Sequence, residues 1–368
     1  MNSEEKEKKF ACIGEKVLQF MSFCLSEESN PQQICNQFES LAFELFNLQR
    51  QFVKPYRNFC QLKGEPDDWQ KIPCLPTSVF KEFEITSLYP EERKIVFLSS
   101  GTTYEKSSRH FHNENSVKIY EKSLLLWFKK CLLNDCKPLQ FIMLTPPPDA
   151  VPHSSLVYML FVLKQQFGGE NSAFYGIAES ETLWKLNIDG LINELGKCQE
   201  SPLILMGTAF NFVHLIDYLE QKKLKFKLPS GSIIFETGGY KGRSREIPKK
   251  QLYSKIAVYL GVSESNIVSE YGMSELSSQA YDSCLNEREG NLRVFKFPPW
   301  ARYKIISPET KLPVKRGERG ILQIYDLANV YSLMAIQTDD IAIECGNGFI
   351  LEGRAGQFEP RGCSLMLP

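Results

Sequence analysis

The sequence predicts an α/β protein, with mostly parallel sheets flanked by helices and a small antiparallel β sub-domain near the C-terminus. Three observations carry this. First, Ile95–Leu98, Phe141–Leu144, Leu203–Met206, Ile233–Phe235 and Ile267–Ser269 are short strand-like runs that end abruptly in small or polar residues, as strands buried on both faces do. Second, segments of helical period alternate with them; one is marked by Val117, Tyr120, Leu124, Trp127, Phe128 and Cys131, another by Phe210–Leu219. Third, the texture changes from about Pro298. There Ala301–Ile306, Gly320–Tyr325, Met334–Thr338 and Ile341–Glu344 are separated by Pro-Glu-Thr, Arg-Gly-Glu-Arg-Gly and Cys-Gly-Asn-Gly turns.

In chain order, residues 1–90 form a helical N-terminal region packed on the core. Phe38, Leu41, Ala42, Leu45, Leu48 and Phe52 recur at three- and four-residue steps, the mark of one buried helix face. Residues 91–297 form the α/β core, and residues 298–368 the β sub-domain and tail. With 368 residues, 43% of them hydrophobic, the chain can bury a sizeable core. A formal net charge of -1 gives no electrostatic reason to expect nucleic acid or an anionic membrane as partner. No apolar run is long enough to span a bilayer, and the mixed-charge start forms no secretory segment, so a cytoplasmic protein is expected. Eleven scattered cysteines without a CxxC pair argue for reduced thiols. His110 and His112 stand two apart with no third ligand nearby, and read as solvent-facing rather than metal-bound.

In parallel α/β sheets, ligands sit beyond the carboxyl ends of the strands, and each polar motif here follows a strand. After Leu98 comes Ser99-Ser100-Gly101-Thr102-Thr103, then Lys106. Gly101 lets the backbone approach an anion, hydroxyls and N–H groups donate to it, and Lys106 adds a point charge. The spacing is not GxxxxGK[ST]. Taken alone, such a cluster is also what an ordinary solvated loop contains. Glu236-Thr237-Gly238-Gly239 is either a plain tight turn or a side-chain-free wall for a flat ring. Ser269 to Glu275 places an aromatic, a glycine, a hydroxyl and an acid after a strand; Mg²⁺ would select that acid, and a solvated loop carboxylate is the bland alternative.

Together these stretches resemble the adenylate-forming superfamily of acyl-CoA ligases, luciferases and peptide-synthetase adenylation domains. Ser99–Thr103 with Lys106 resembles its phosphate loop. Tyr271-Gly272-Met273-Ser274-Glu275 resembles Tyr-Gly-x-Thr-Glu, with Ser274 keeping the hydroxyl. Thr338-Asp339-Asp340 resembles Thr-Gly-Asp, with Asp339 in place of the glycine. Gly353-Arg354 resembles the start of the hinge motif, whose aspartate is Gly356 here and whose lysine is Glu359, so the arginine carries over and the hinge does not. The resemblance implies ATP and Mg²⁺ as cofactors. It puts the phosphates on Ser99, Ser100, Gly101, Thr102, Thr103 and Lys106, and the adenine between Thr237-Gly238-Gly239 and Tyr271. It also puts the α-phosphate at Ser274, Mg²⁺ on Glu275, the ribose on Asp340, and ribose or phosphate on Arg354.

One short branch matches further: the acyl-protein synthetases of the bacterial luminescence fatty-acid reductase complexes. The chain stops at Pro368, where a typical superfamily member continues into a lid domain. Thr208-Ala209-Phe210 and Pro152-His153-Ser154-Ser155-Leu156 also look like that branch, as does a cysteine close to the C-terminus. The resemblance implies a fatty acid or other carboxylic acid substrate, activated as acyl-adenylate. It further implies acyl transfer to Cys363 as a thioester, and a reductase subunit or carrier protein as partner. His153 matches a gate at the acyl pocket, although a lone histidine after a turn is equally a surface residue. Most cysteines serve as small hydrophobes, but Arg361-Gly362 beside Cys363 would favour an exposed thiolate. The alternative reading is an acyl- or aryl-CoA ligase of the phenylacetate type, with free CoA as acceptor. A non-catalytic interaction module is the third, opposed by retention of Glu275, Asp340 and Arg354 together with the loop.

Overall fold

The computed structural model describes residues 3–99, 106–133, 139–180, 183–198, 200–238, 247–282 and 292–354. Three helices open the chain: α1 (Ser3–Cys24), α2 (Pro31–Phe52) and α3 (Lys54–Cys60). α2 begins where the Asn30 side chain accepts the Gln33 N–H and Pro31 takes the first turn, both favourable at a helix start. Its buried face is Phe38, Leu41, Ala42, Leu45 and Phe46; the first four are those the periodicity predicts, while the expected Leu48 and Phe52 are only half-buried. Gln49 extends that face. Its amide donates to the Asn329 and Val330 carbonyls at 2.7 and 3.1 Å and accepts the Met334 N–H at 3.0 Å. This clamp ties the N-terminal helices to a turn of the C-terminal sheet.

β1 (Leu75–Pro76) and α4 (Val79–Glu82) follow, then β2 (Ile95–Leu98) and β3 (Arg109–His112). β2 does not join the parallel sheet, as the strand–helix–strand rhythm predicts; it pairs antiparallel with β3, Leu98 opposite Arg109. The loop between them returns the chain directly, and only an antiparallel pair can be closed without a crossover element. Ser99 and Ser108 seal its base: the Ser99 N–H donates to the Ser108 carbonyl at 3.1 Å, and the Ser108 N–H to the Ser99 hydroxyl at 2.9 Å.

The core then runs α5 (Glu114–Leu132), β4 (Gln140–Met143), α6 (Ser155–Phe167), β5 (Ala173–Phe174), the hairpin β6 (Gly176–Ala178) and β7 (Trp184–Leu186), and α7 (Ile188–Lys197). It continues with β8 (Leu203–Thr208), α8 (Ala209–Lys222), β9 (Ile233–Thr237), α9 (Lys249–Leu260), β10 (Ile267–Tyr271) and β11 (Ala280–Tyr281). Among the described residues the sheet order is β11-β10-β9-β8-β4-β5, parallel except for β11 at the edge. β8, β9 and β10 are buried at every position, which is why they read as continuous runs rather than alternating ones. One face packs Phe141 and Phe235 against Phe128 of α5; the other packs Leu205 and Ile234 against α8 and α9.

The antiparallel sheet is built from β12 (Ala301–Ile306), β13 (Arg319–Asp326), β14 (Ala335–Glu344) and β15 (Phe349–Arg354). The runs Met334–Thr338 and Ile341–Glu344, expected as separate strands, are one strand. β14 bulges between them: Gln337 opposes Gln323 and Ile341 opposes Ile321, so three residues of β14 face Leu322. The Thr338 hydroxyl fills the gap by donating to the Leu322 carbonyl at 2.9 Å. β1 lies parallel to β14, Pro76 opposite Gln337. Among the described residues no helix is long and apolar enough to cross a membrane.

Candidate functional site

The carboxyl ends of β9 and β10 finish level, Thr237 opposite Glu270. Thr237 is buried and Gly238 exposed, with nothing within 4 Å of where a Cβ on Gly238 would stand. Glu270 tucks its carboxyl beneath Gly272, where a Cβ would meet Oε1 at 2.2 Å, so a side chain there would have to displace that carboxyl. Burial pushes the Glu270 carboxyl up to about 7. Behind it Glu236 accepts from the Tyr253 and Ser269 hydroxyls at 2.7 and 3.0 Å, with Lys249 3.4 Å away.

Tyr271 closes β10. Its ring meets Phe295, Phe297 and Phe349 edge-on, and its hydroxyl donates to Asp340 Oδ2 at 2.7 Å. The β14 bulge aims Asp340 here, its own N–H held by the Thr338 hydroxyl at 3.1 Å. Arg354, opposite Asp340 on β15, brings Nε within 3.7 Å of Oδ1. Burial pushes the Asp340 carboxyl up, while the Tyr271 hydroxyl and the Arg354 charge oppose it. Three residues far apart in sequence thus meet at one place.

Ser274 and Glu275 follow in a tightly held loop, with the half-buried Met273 packed against the main core. The Ser274 carbonyl accepts from His110 Nδ1 at 2.6 Å, and the Glu275 carbonyl from Asn329 Nδ2 at 2.8 Å. Asp326 accepts the Ser277 and Ser278 N–H groups at 3.0 and 2.8 Å and the Ser278 hydroxyl at 2.7 Å. Burial pushes the Glu275 carboxyl up, with Ser108 and the charges of Arg354 and Lys81 acting the other way. The Glu275 carboxylate is an oxygen donor of the kind a divalent cation takes.

Ser99 sits at the base of the β2–β3 loop, and Lys106 pairs with Glu82 of α4 at 3.1 Å. Ser100, Gly101, Thr102, Thr103, Gly239 and Cys363 lie outside the described residues. His153 is half-buried against β2: its Nδ1 lies 3.1 Å from the Val96 carbonyl, and its own carbonyl accepts the Leu98 N–H at 2.9 Å. His110 and His112 correct the solvent-facing expectation. They are 2% and 1% exposed, because both rings turn inward against the Ser274 carbonyl, the Ser116 hydroxyl and the Phe97 ring. No cluster of three metal-ligating side chains occurs among the described residues. Cys131, in α5, is disulfide-bonded, against the expectation of reduced thiols; seven other described cysteines are free. Asp326, Asn329 and His110 are site residues the sequence reading missed, since each acts through hydrogen bonds to a distant backbone.

The family profile described as "Acyl-protein synthetase, LuxE" matches residues 2–368. The chain belongs to this acyl-protein synthetase family. It is 23% identical over 320 residues to the long-chain-fatty-acid–luciferin-component ligase of Aliivibrio fischeri, covering 83% of this chain and 78% of that protein. The ligase of the same name from Vibrio harveyi is 21% identical over 295 residues, covering 78% and 74%. Among solved structures, 2-hydroxyisobutyryl-CoA ligase in an open conformation with 2-HIB-AMP and CoA is similar with a TM-score of 0.59 at 12% identity, over 84% of this chain and 74% of that one. ATP-bound MatB from Rhodopseudomonas palustris gives 0.50 at 13% identity over 74% of this chain, which spans half the length of MatB. The chain therefore has the fold of adenylate-forming ligases, and its family's class of reaction is ATP-dependent acyl activation.

Proposed function

We propose that this chain converts a fatty acid to its acyl-adenylate and then takes the acyl group onto Cys363. In the first step a carboxylate oxygen attacks the α-phosphorus of ATP, and the bond to the β-phosphate oxygen breaks to release pyrophosphate. In the second the Cys363 thiolate attacks the acyl carbonyl, the bond to the phosphate oxygen breaks, AMP leaves, and the thiol proton passes to solvent. The observation that carries this reading is the meeting of Tyr271, Asp340 and Arg354 beside the pinned Ser274-Glu275 loop.

In this reading Asp340 and Arg354 hold the ribose, and Tyr271 lies against the adenine opposite Thr237-Gly238-Gly239. Gly272 and Met273 carry the chain past the base to Ser274 at the α-phosphate. Ser99, Ser100, Gly101, Thr102, Thr103 and Lys106 receive the remaining phosphates, where fixed donors stabilise growing charge. Glu275 holds Mg²⁺, which neutralises phosphate charge when bound. His153 borders the acyl entrance. The thioester then passes to a reductase subunit or carrier protein in the cytoplasm.

Intact mass after incubation with ATP and myristate tests the proposal. One acyl adduct is expected, lost in Cys363→Ser while acid-dependent pyrophosphate exchange persists. CoA-thioester formation that survives Cys363→Ser would overturn transfer to Cys363 and make free CoA the acceptor.

A further inference from the structure

We propose that His110 is a positioning residue that ties the Ser99–Ser108 base of the β2–β3 hairpin to the Ser274-Glu275 loop, so that Ser99 and Glu275 are held in fixed register toward Mg·ATP. The inference rests on the reading above that these two loops receive the phosphates and the cation.

His110 stands on β3 two residues beyond Ser108, whose N–H and carbonyl both bond Ser99 to close the loop. Its Nδ1 lies 2.6 Å from the Ser274 carbonyl, 164 residues away in sequence. A carbonyl can only accept, so Nδ1 carries the proton and the tautomer is fixed. The ring is 2% exposed, and burial lowers its pKa to about 4, so the bond is made by a neutral imidazole at any ordinary working pH.

The ring has little freedom to turn. His112 packs on it with centroids 4.3 Å apart and is itself held by the Ser116 hydroxyl at 3.2 Å and by Phe97 at 5.0 Å. On the other side of the loop, Asn329 grips the next carbonyl, that of Glu275, at 2.8 Å. Two successive peptide units are thus held by different parts of the fold, one by the hairpin and one by the turn between β13 and β14. The turn fixes where Glu275 stands in the body of the protein. The imidazole adds the register between Glu275 and the Ser99–Ser108 base of the hairpin, and a misplacement of about 1 Å between reacting groups is costly.

The test compares two variants in the full chain. His110→Asn places an amide nitrogen where Nδ1 stands and keeps the donor; His110→Leu keeps the bulk and removes it. Three quantities are read: the Mg²⁺ and ATP concentrations for half-maximal pyrophosphate exchange, the rise in melting temperature that Mg·ATP causes, and the fatty-acid KM. The leucine variant is expected to need about ten-fold more Mg²⁺ and ATP and to lose most of the Mg·ATP-induced rise, with its fatty-acid KM unchanged. The asparagine variant is expected to recover to within about three-fold of the parent. If the leucine variant does not fold, His110→Gln, whose amide sits at the Nε2 position, replaces it as the donor-misplaced control. Equal loss of melting temperature in all variants with parental Mg²⁺ and ATP dependence would overturn the proposal and leave a packing role. Absence of any Mg·ATP-induced rise in the parent protein would instead overturn the reading of the two loops as the nucleotide site.

Discussion

Glu270, next to last in β10, has its carboxyl folded under Gly272, and burial pushes its pKa to about 7, helped by Glu236 and opposed by Thr237 and Lys249. Between the ordinary carboxyl value and 7 the folded chain keeps a proton that the unfolded chain has released. Stability therefore falls as pH rises through that window, by about 3 kcal/mol at most. In Glu270→Gln the urea midpoints at pH 5 and pH 8 should converge, whereas those of the parent should separate, with pH 8 the lower. Asp340 offers a second residue-scale test. Asp340→Asn keeps an acceptor for the Tyr271 hydroxyl while losing the charge, and Asp340→Ala loses both. On the ribose reading the alanine variant should bind ATP more weakly by about 2–3 kcal/mol, roughly 30- to 150-fold, measured by titration. The asparagine variant should fall between, with the melting temperature of the parent.

The elements differ in how far they depend on one another. α2 is tied to the β13–β14 turn by Gln49, whose amide satisfies two carbonyls and one N–H. Gln49→Leu fits the space but strands all three groups away from water, and should cost about 2–4 kcal/mol in urea unfolding. Because the same turn holds Asn329, and Asn329 holds Glu275, adenylation should suffer with stability. The amphipathic helices α2, α5 and α8 and the buried strands β4, β8, β9 and β10 were legible, since a period of 3.6 or an unbroken apolar run is written directly into the chain. β3 was not, because Arg109-His110-Phe111-His112 reads as polar and only the packed structure turns its histidines inward. Nor was the continuity of β14, since Asp339-Asp340 looks like a break and is a bulge instead. At the site, Tyr271, Asp340 and Arg354 were legible as motif residues. Gln49, Asn329, Asp326 and His110 were not, since a hydrogen bond to a remote carbonyl leaves no pattern in sequence.

Across the whole molecule, one apolar cluster runs from α1 to the antiparallel sheet, with Phe10 stacked on Tyr331 at 5.4 Å and Phe38 packed edge-on against Trp69 at 5.2 Å. Removing residues 1–52 should therefore yield aggregated protein rather than a trimmed enzyme, judged by soluble yield and pyrophosphate exchange. One side of β14 is occupied by β13, and the other is shared: β1 covers it at Ile336–Gln337 and β15 from Asp340 onward. Asp340 thus stands at the seam where one borrowed rail stops and another starts. A loosened linker ahead of Val79 would reach the Asp340 carboxylate from outside the core, through a proline that offers no N–H to any further strand. Protease sites, tags or fusions placed in that linker would tug on nucleotide affinity while leaving the parallel sheet intact.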